Sequence, residues 1–125
     1  MASTRSERAT RLGLAGLLGV AGVAHFLAPK SFDDIVPEAL GSARAWTYVS
    51  GLAELTGAVL VARRGTARLG GLWAAVLFVL VFPANVYAAV KPVPPFDNKL
   101  LGYGRLPLQI PLVLWALRVR RNAAN

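Results

Sequence analysis

The chain has 125 residues, 55% of them hydrophobic and only 16% charged, yet its formal net charge is +8 and its mean hydropathy +0.50. That length suits one domain. The hydrophobicity excludes disorder, and the absence of Cys excludes a disulfide scaffold and thiol redox chemistry. With no Cys and one His there is no ordinary zinc ligand set. A membrane protein and a small basic nucleic-acid binder remain, and the placement of the charges separates them.

Residues 1–10 form a polar N-terminal tail, expected to fray. Residues 12–29 then carry no Asp, Glu, Lys or Arg, and a first span is expected over about 11–28. A bilayer core of about 30 Å needs roughly 20 apolar residues in a helix. Pro29 cannot continue that helix in register. The connector over residues 30–42 is too long for a simple turn. Phe32, Ile35 and Val36 alternate there with Asp33, Asp34 and Glu38, which suits a short interfacial helix or lid.

A second span is expected over about 45–62, interrupted only by Glu54. Arg63-Arg64-Gly65-Thr66 reads as a tight basic turn. The third span, about 69–90, has no charge over 22 residues, and Lys91-Pro92-Val93-Pro94-Pro95 stops it. Pro83 leaves the Val79 carbonyl without its helical donor and is expected to kink this span. The fourth span, about 106–119, is short. Pro107 suits its first turn and Pro111 should bend it. Residues 122–125 are a C-terminal tail. Gly71 and Ala75 open the third span, a spacing of four that permits close helix approach.

Arg5, Arg8, Arg11, Arg63, Arg64, Arg68, Arg118, Arg120 and Arg121 fall on one side of a chain that crosses four times. With Glu7 that side carries a net +8, and the opposite side +1. The positive-inside rule then places both termini in the cytoplasm, as in a multi-pass protein of a bacterial inner membrane. The charge marks topology and contact with anionic membrane lipid, and no nucleic acid is expected as a partner. The fold class expected is all-α, an antiparallel four-helix transmembrane bundle.

Each span contains a polar residue: His25, then Ser50 and Glu54, then Asn85, then Gln109. At 1.5 Å per residue, His25 lies about 20 Å and Asn85 about 24 Å from the cytoplasmic start of their spans. Glu54 lies roughly 14 Å below the outer end of its span and Gln109 about 6 Å inside Arg105. All fall in the outer half, which points to one buried polar cluster. A midplane carboxyl is costly unless protonated or paired, and a hydrogen-bonded Glu54–His25 pair is the arrangement expected. Ser50, one turn earlier, lies on the face of Glu54. Phe26, Phe78 and Phe82 are candidate apolar walls, and Tyr87 and Arg105 mark the mouth. Singly, His25, Asn85 and Gln109 serve equally well as interhelical hydrogen-bonding residues. Trp46, Tyr48, Tyr87 and Tyr103 suit an interfacial aromatic belt.

The strings Ala24-His25-Phe26-Leu27-Ala28-Pro29, Ser50-Gly51-Leu52-Ala53-Glu54-Leu55, Val81-Phe82-Pro83-Ala84-Asn85-Val86-Tyr87 and Arg105-Leu106-Pro107-Leu108-Gln109 occur in this order, one per span. The chain so resembles the DoxX-like family of small four-helix membrane proteins, over roughly residues 12–119. The resemblance implies an antiparallel four-helix bundle. It also implies a role beside quinone-linked redox complexes, since named members are accessory subunits of such systems. Other relatives resemble partners of oxidative-stress enzymes or an assembly chaperone.

Three roles remain open on the residues. The first is a non-catalytic accessory or scaffold subunit, partnered by a redox enzyme or a second copy, that holds a quinone-like lipophilic ligand in the polar cluster. The second is a small membrane enzyme using His25 and Glu54 as an acid–base pair on a lipid-like substrate. The third is an assembly factor in which the cluster only fixes helix register. One His and only Met1 give no axial pair within a subunit, so no haem is expected.

Overall fold

The computed structural model describes residues 4–33, 36, 38–83, 86 and 99–123, with backbone only at Glu38 and residues 99–106. Among the described residues the chain is all-helical, with no strand. The helices are α1 (Arg5–Leu27), α2 (Pro29–Asp33), α3 (Ala43–Ala62), α4 (Ala67–Leu80) and α5 (Lys99–Asn122). Two single-turn 3-10 segments, Glu38–Leu40 and Arg64–Thr66, join them.

Helix α1 starts at Arg5, well before residue 11. Thr4 and Glu7 form a capping box: the Glu7 N–H donates to Thr4 Oγ1 and the Thr4 N–H to Glu7 Oε1, both at 3.0 Å. Two otherwise orphaned N–H groups are satisfied, which turns the polar tail into a first turn. At the other end α1 stops at Leu27 and Pro29 opens α2, the position in a helix where its missing N–H costs nothing.

Helix α4 ends at Leu80, with a turn at Val81, three residues before Pro83. The expected interruption is therefore present as a helix end rather than a bend. Phe82 and Pro83 are helical again after that turn, so Pro83, which has no N–H for the Val79 carbonyl, sits at a helix start where the missing donor costs least. Helix α5 departs from expectation in the opposite sense. It begins at Lys99, so Pro107 lies in its interior with Pro111 one turn on, not in a first turn.

Contacts between α1 and α3 run in opposite order along the two helices. Arg11 donates to the carbonyls of Val61 and Ala62, while Gly22 lies against Gly51 and Leu55. Helix α4 packs on α3 and on α5, with Gly71 facing Ala116 and Arg120. Trp115 Nε1 donates to the Thr10 carbonyl at 2.8 Å and brings α5 back to α1. The core between them is built from Leu14, Leu18, Val61, Ala74, Ala75, Phe78, Ala116 and Val119.

The outward faces are apolar. Val20, Leu27, Val49, Leu52, Leu80 and Ile110 are each 60% exposed or more, while the polar His25, Thr47 and Gln109 are buried. A water-soluble domain covers its surface with polar groups and buries few of them. Helices α1 and α3 are long and apolar enough to cross a membrane. The 14 residues of α4 reach only about 21 Å.

Candidate functional site

A cavity of about 280 Å³ lies among α1, α3, α4 and α5, beneath the segment that contains α2. Helical spacing explains its lining. Residues three or four apart share a face, so α1 presents Leu17, Leu18, Ala21 and His25 together. Helix α3 presents Thr47, Ser50 and Glu54, α4 Phe78, and α5 Gln109 and Leu112. The structure thus gathers His25, Ser50, Glu54, Phe78 and Gln109, which come from four helices, around one space.

His25 Nδ1 lies 2.7 Å from the Ala21 carbonyl oxygen. A carbonyl only accepts, so the proton of that contact sits on Nδ1. The same nitrogen lies 3.2 Å from Glu54 Oε2. The expected pair is present, but not as the expected hydrogen bond. The Nδ1 hydrogen is directed along its own helix, and Glu54 Oε2 is buried with no hydrogen-bond partner among the described residues. A buried carboxyl oxygen without a hydrogen bond is costly, so a small turn of the Glu54 side chain toward the cavity it lines would be rewarded by any donor there.

Gln109 is 6% exposed. Its Nε2 donates to the Phe78 carbonyl, one of those the end of α4 releases. It is therefore both cavity lining and a cap supplied by a neighbouring helix, which joins the two roles open to it in the sequence.

Phe26 and Phe82 stand outside the cavity. Phe26 follows His25 by one residue and so points about 100° away around α1. It stacks on Tyr48 instead, with centroids 5.3 Å apart, and Arg44 lies over that Tyr48 ring at 5.6 Å. Phe82 is four residues after Phe78 but beyond the end of α4, so the helical register that would have aligned them is lost. It lines a separate outer groove. Asn85 and Tyr87, and the side chains of Tyr103 and Arg105, lie outside the described residues.

Three further residues shape the cavity, of which sequence placed Phe32 in a covering segment and Trp46 in an interfacial belt and did not mark Thr47. Phe32 of α2 stacks face to face on the His25 ring, with centroids 3.7 Å apart and planes 17° apart. Trp46 lines the wall while its Nε1 donates to the Leu40 carbonyl at 2.8 Å. Thr47 is 2% exposed and donates to Asp33 Oδ1 at 2.6 Å. The signal for Thr47 was its spacing, three and seven residues before Ser50 and Glu54.

The covering segment is latched. Asp33, the last residue of α2, accepts from Thr47 and, at 2.8 Å, from Arg44 Nε. Burial pushes the Asp33 carboxyl up, but the hydrogen bonds from Thr47 and Arg44 and the Arg44 charge outweigh it, so it sits below its ordinary value. A depressed carboxyl stabilises the folded arrangement at neutral pH and loses that contribution as pH falls through its folded value. Because the chain has no Cys, Ser50→Cys provides a single reporter thiol inside the cavity. Adding Asp33→Asn, which imitates the protonated latch, should speed maleimide labelling of that thiol about fivefold or more, as loss of a charge-assisted contact implies. An unchanged labelling rate would show that Asp33 does not hold the segment down.

Among the described residues no group of three or more His, Asp or Glu gathers where a metal ion would sit. A family model described as a domain of unknown function, DUF8561, matches residues 14–120, which include every residue that lines the cavity. No curated protein and no solved structure matches the chain.

Proposed function

The chain belongs to the family Domain of unknown function (DUF8561), and from that premise we propose that it is a multi-pass membrane protein that binds a small lipophilic ligand. In this reading four spans form an antiparallel bundle in a bacterial inner membrane with both termini cytoplasmic. The cavity faces the outer half. The ligand is quinone-like, a ring bearing hydroxyl or carbonyl oxygens, and the protein serves as an accessory or scaffold subunit beside a membrane redox enzyme. The +8 against +1 division of charge and the apolar outward faces support the membrane placement. The motifs resembling the DoxX-like family support the redox association.

One observation carries the ligand reading. Glu54, whose Oε2 is buried and without a hydrogen bond among the described residues, lines a cavity roofed by a ring-on-ring stack of Phe32 on His25. A ring hydroxyl donating to Glu54, with apolar walls on either side, satisfies that oxygen. Ligand pockets are of this kind: mostly apolar, with few and placed polar groups.

The test is extraction of the protein purified in mild detergent, with bound small molecules identified by mass spectrometry. The wild type should carry a stoichiometric ring-bearing lipid. Glu54→Gln keeps the shape but replaces one carboxyl oxygen with an NH2 that can only donate, and should lower retention about tenfold. His25→Ala, which also removes the support of Phe32, should lower it at least as much. Unchanged content in both variants overturns the reading. Reduced folding yield in Glu54→Gln with no bound molecule in the wild type would favour the assembly role instead.

A further inference from the structure

Four residues that line the central cavity spend a hydrogen-bond donor on the protein itself. His25 gives its Nδ1 hydrogen to the Ala21 carbonyl, and Trp46 its Nε1 hydrogen to the Leu40 carbonyl. Thr47 gives its hydroxyl hydrogen to Asp33, and Gln109 Nε2 donates to the Phe78 carbonyl. Acceptors are left over. With its proton on Nδ1, the neutral His25 ring carries a lone pair on Nε2. Among the described residues neither His25 Nε2 nor Glu54 Oε1 makes a hydrogen bond, and neither is fully buried as Glu54 Oε2 is. The Phe32 stack covers a face of the imidazole and leaves its edge, where Nε2 sits. Glu54 accepts as a carboxylate, and when protonated it still keeps one accepting oxygen. Ser50 is the remaining hydroxyl, able to donate or to accept. The space therefore presents a surplus of acceptors, grouped where Glu54 Oε2 lies 3.2 Å from His25 Nδ1.

We propose that the cavity selects the reduced, hydroxyl-bearing form of its ring ligand, a hydroquinone, over the oxidised quinone, with His25 Nε2 and the Glu54 carboxyl as the discriminating acceptors. This rests on the ligand reading above and adds the redox state of the molecule. A hydroquinone brings two O–H donors. A quinone of the same skeleton brings two carbonyls, which only accept. Inside the cavity a quinone sets lone pairs against lone pairs and gives up its water without replacement. A hydroquinone hydroxyl finds a partner in either acceptor. Apolar walls such as Phe32 and Phe78 hold both rings alike, because the two forms differ by two hydrogen atoms. Selection therefore falls to the polar groups. It also has a redox consequence. A tenfold preference for the reduced form raises the two-electron reduction potential of the bound pair by about 30 mV.

Trimethylhydroquinone and trimethylbenzoquinone share one skeleton and serve as the probes. Their binding to the intact, detergent-solubilised protein is measured by anaerobic equilibrium dialysis, with protein-free micelles as the blank. The wild type should bind the hydroquinone at least about tenfold more tightly. His25→Phe keeps a ring for Phe32 to stack on but has no nitrogen. It should weaken the hydroquinone about fivefold and change the quinone less than about twofold. Glu54→Gln sets an amide donor where only acceptors stood. It should weaken the hydroquinone about tenfold and leave the quinone unchanged or tighter, so that the preference disappears. Equal binding of the two probes by the wild type, or tighter binding of the quinone, overturns this inference while the cavity reading stands. If neither probe binds the wild type, both fail. A preference that survives both substitutions overturns the assignment to His25 and Glu54. Should His25→Phe fail to fold, Glu54→Gln and the wild-type ratio decide.

Discussion

Gly71→Ala lowers the apparent melting temperature of the purified protein and costs about 1–3 kcal/mol, the range for overfilling a packed interior. A Cβ at position 71 would stand 2.7 Å from the Arg120 nitrogen and 2.8 Å from the Ala116 oxygen. Both are backbone atoms of α5, so no side-chain rotation relieves the clash. The two helices have to separate, and Ala74, Ala75, Ala116 and Val119 lose contact with them. Gly16→Ala is the matched control. A Cβ there meets nothing within 4 Å, and alanine's higher helix propensity makes it neutral or stabilising by up to about 1 kcal/mol. Thermal challenge followed by size-exclusion chromatography separates the two variants. Equal melting temperatures would mean that α4 and α5 do not meet at Gly71.

The second large effect is expected from Gln109→Leu. Leucine is close in volume but donates nothing, so the Phe78 carbonyl loses the Gln109 amide. Leaving a buried acceptor without that bond costs about 1–3 kcal/mol. The loss falls on the last turn of α4, where helix termination has already removed the intrahelical donors. Amide hydrogen exchange at Leu77–Val81 should therefore accelerate in Gln109→Leu, while exchange in α1 and α3 stays near wild type. Uniform acceleration across the chain would assign the effect to general unfolding and not to the cap.

What the sequence made legible follows from periodicity. Long charge-free runs announced α1 and α4, a run broken only by Glu54 announced α3, and Arg63-Arg64-Gly65-Thr66 announced the turn after α3. His25, Ser50, Glu54, Phe78 and Gln109 were found because polar or aromatic groups inside apolar helices are few and conspicuous. What stayed hidden involved direction and local capping. Phe26 looked like a cavity wall because it adjoins His25 in sequence, but adjacent helical residues point apart. The start of α1 was hidden because a capping box competes with the usual reading of a polar tail as frayed. The start of α5 was hidden because two prolines suggested a boundary where the helix in fact continues through them. Phe32 was legible only as part of a covering segment. Its stack on His25 depends on how α2 folds back, which no repeat in the sequence encodes.

The arginines at the α1–α3 end carry a further meaning. Arg11 bonds the last carbonyls of α3, and Arg120 Nη1 donates at 3.2 Å to the Arg68 carbonyl. In the proposed topology these same residues belong to the charge excess that retains that end in the cytoplasm. In that topology the charges that orient the nascent chain during insertion and the clasps that hold the finished helices would be partly the same guanidinium groups, those of Arg11 and Arg120. A charge reversal designed to invert the protein would also unfasten it, so topology and assembly cannot be re-engineered independently here.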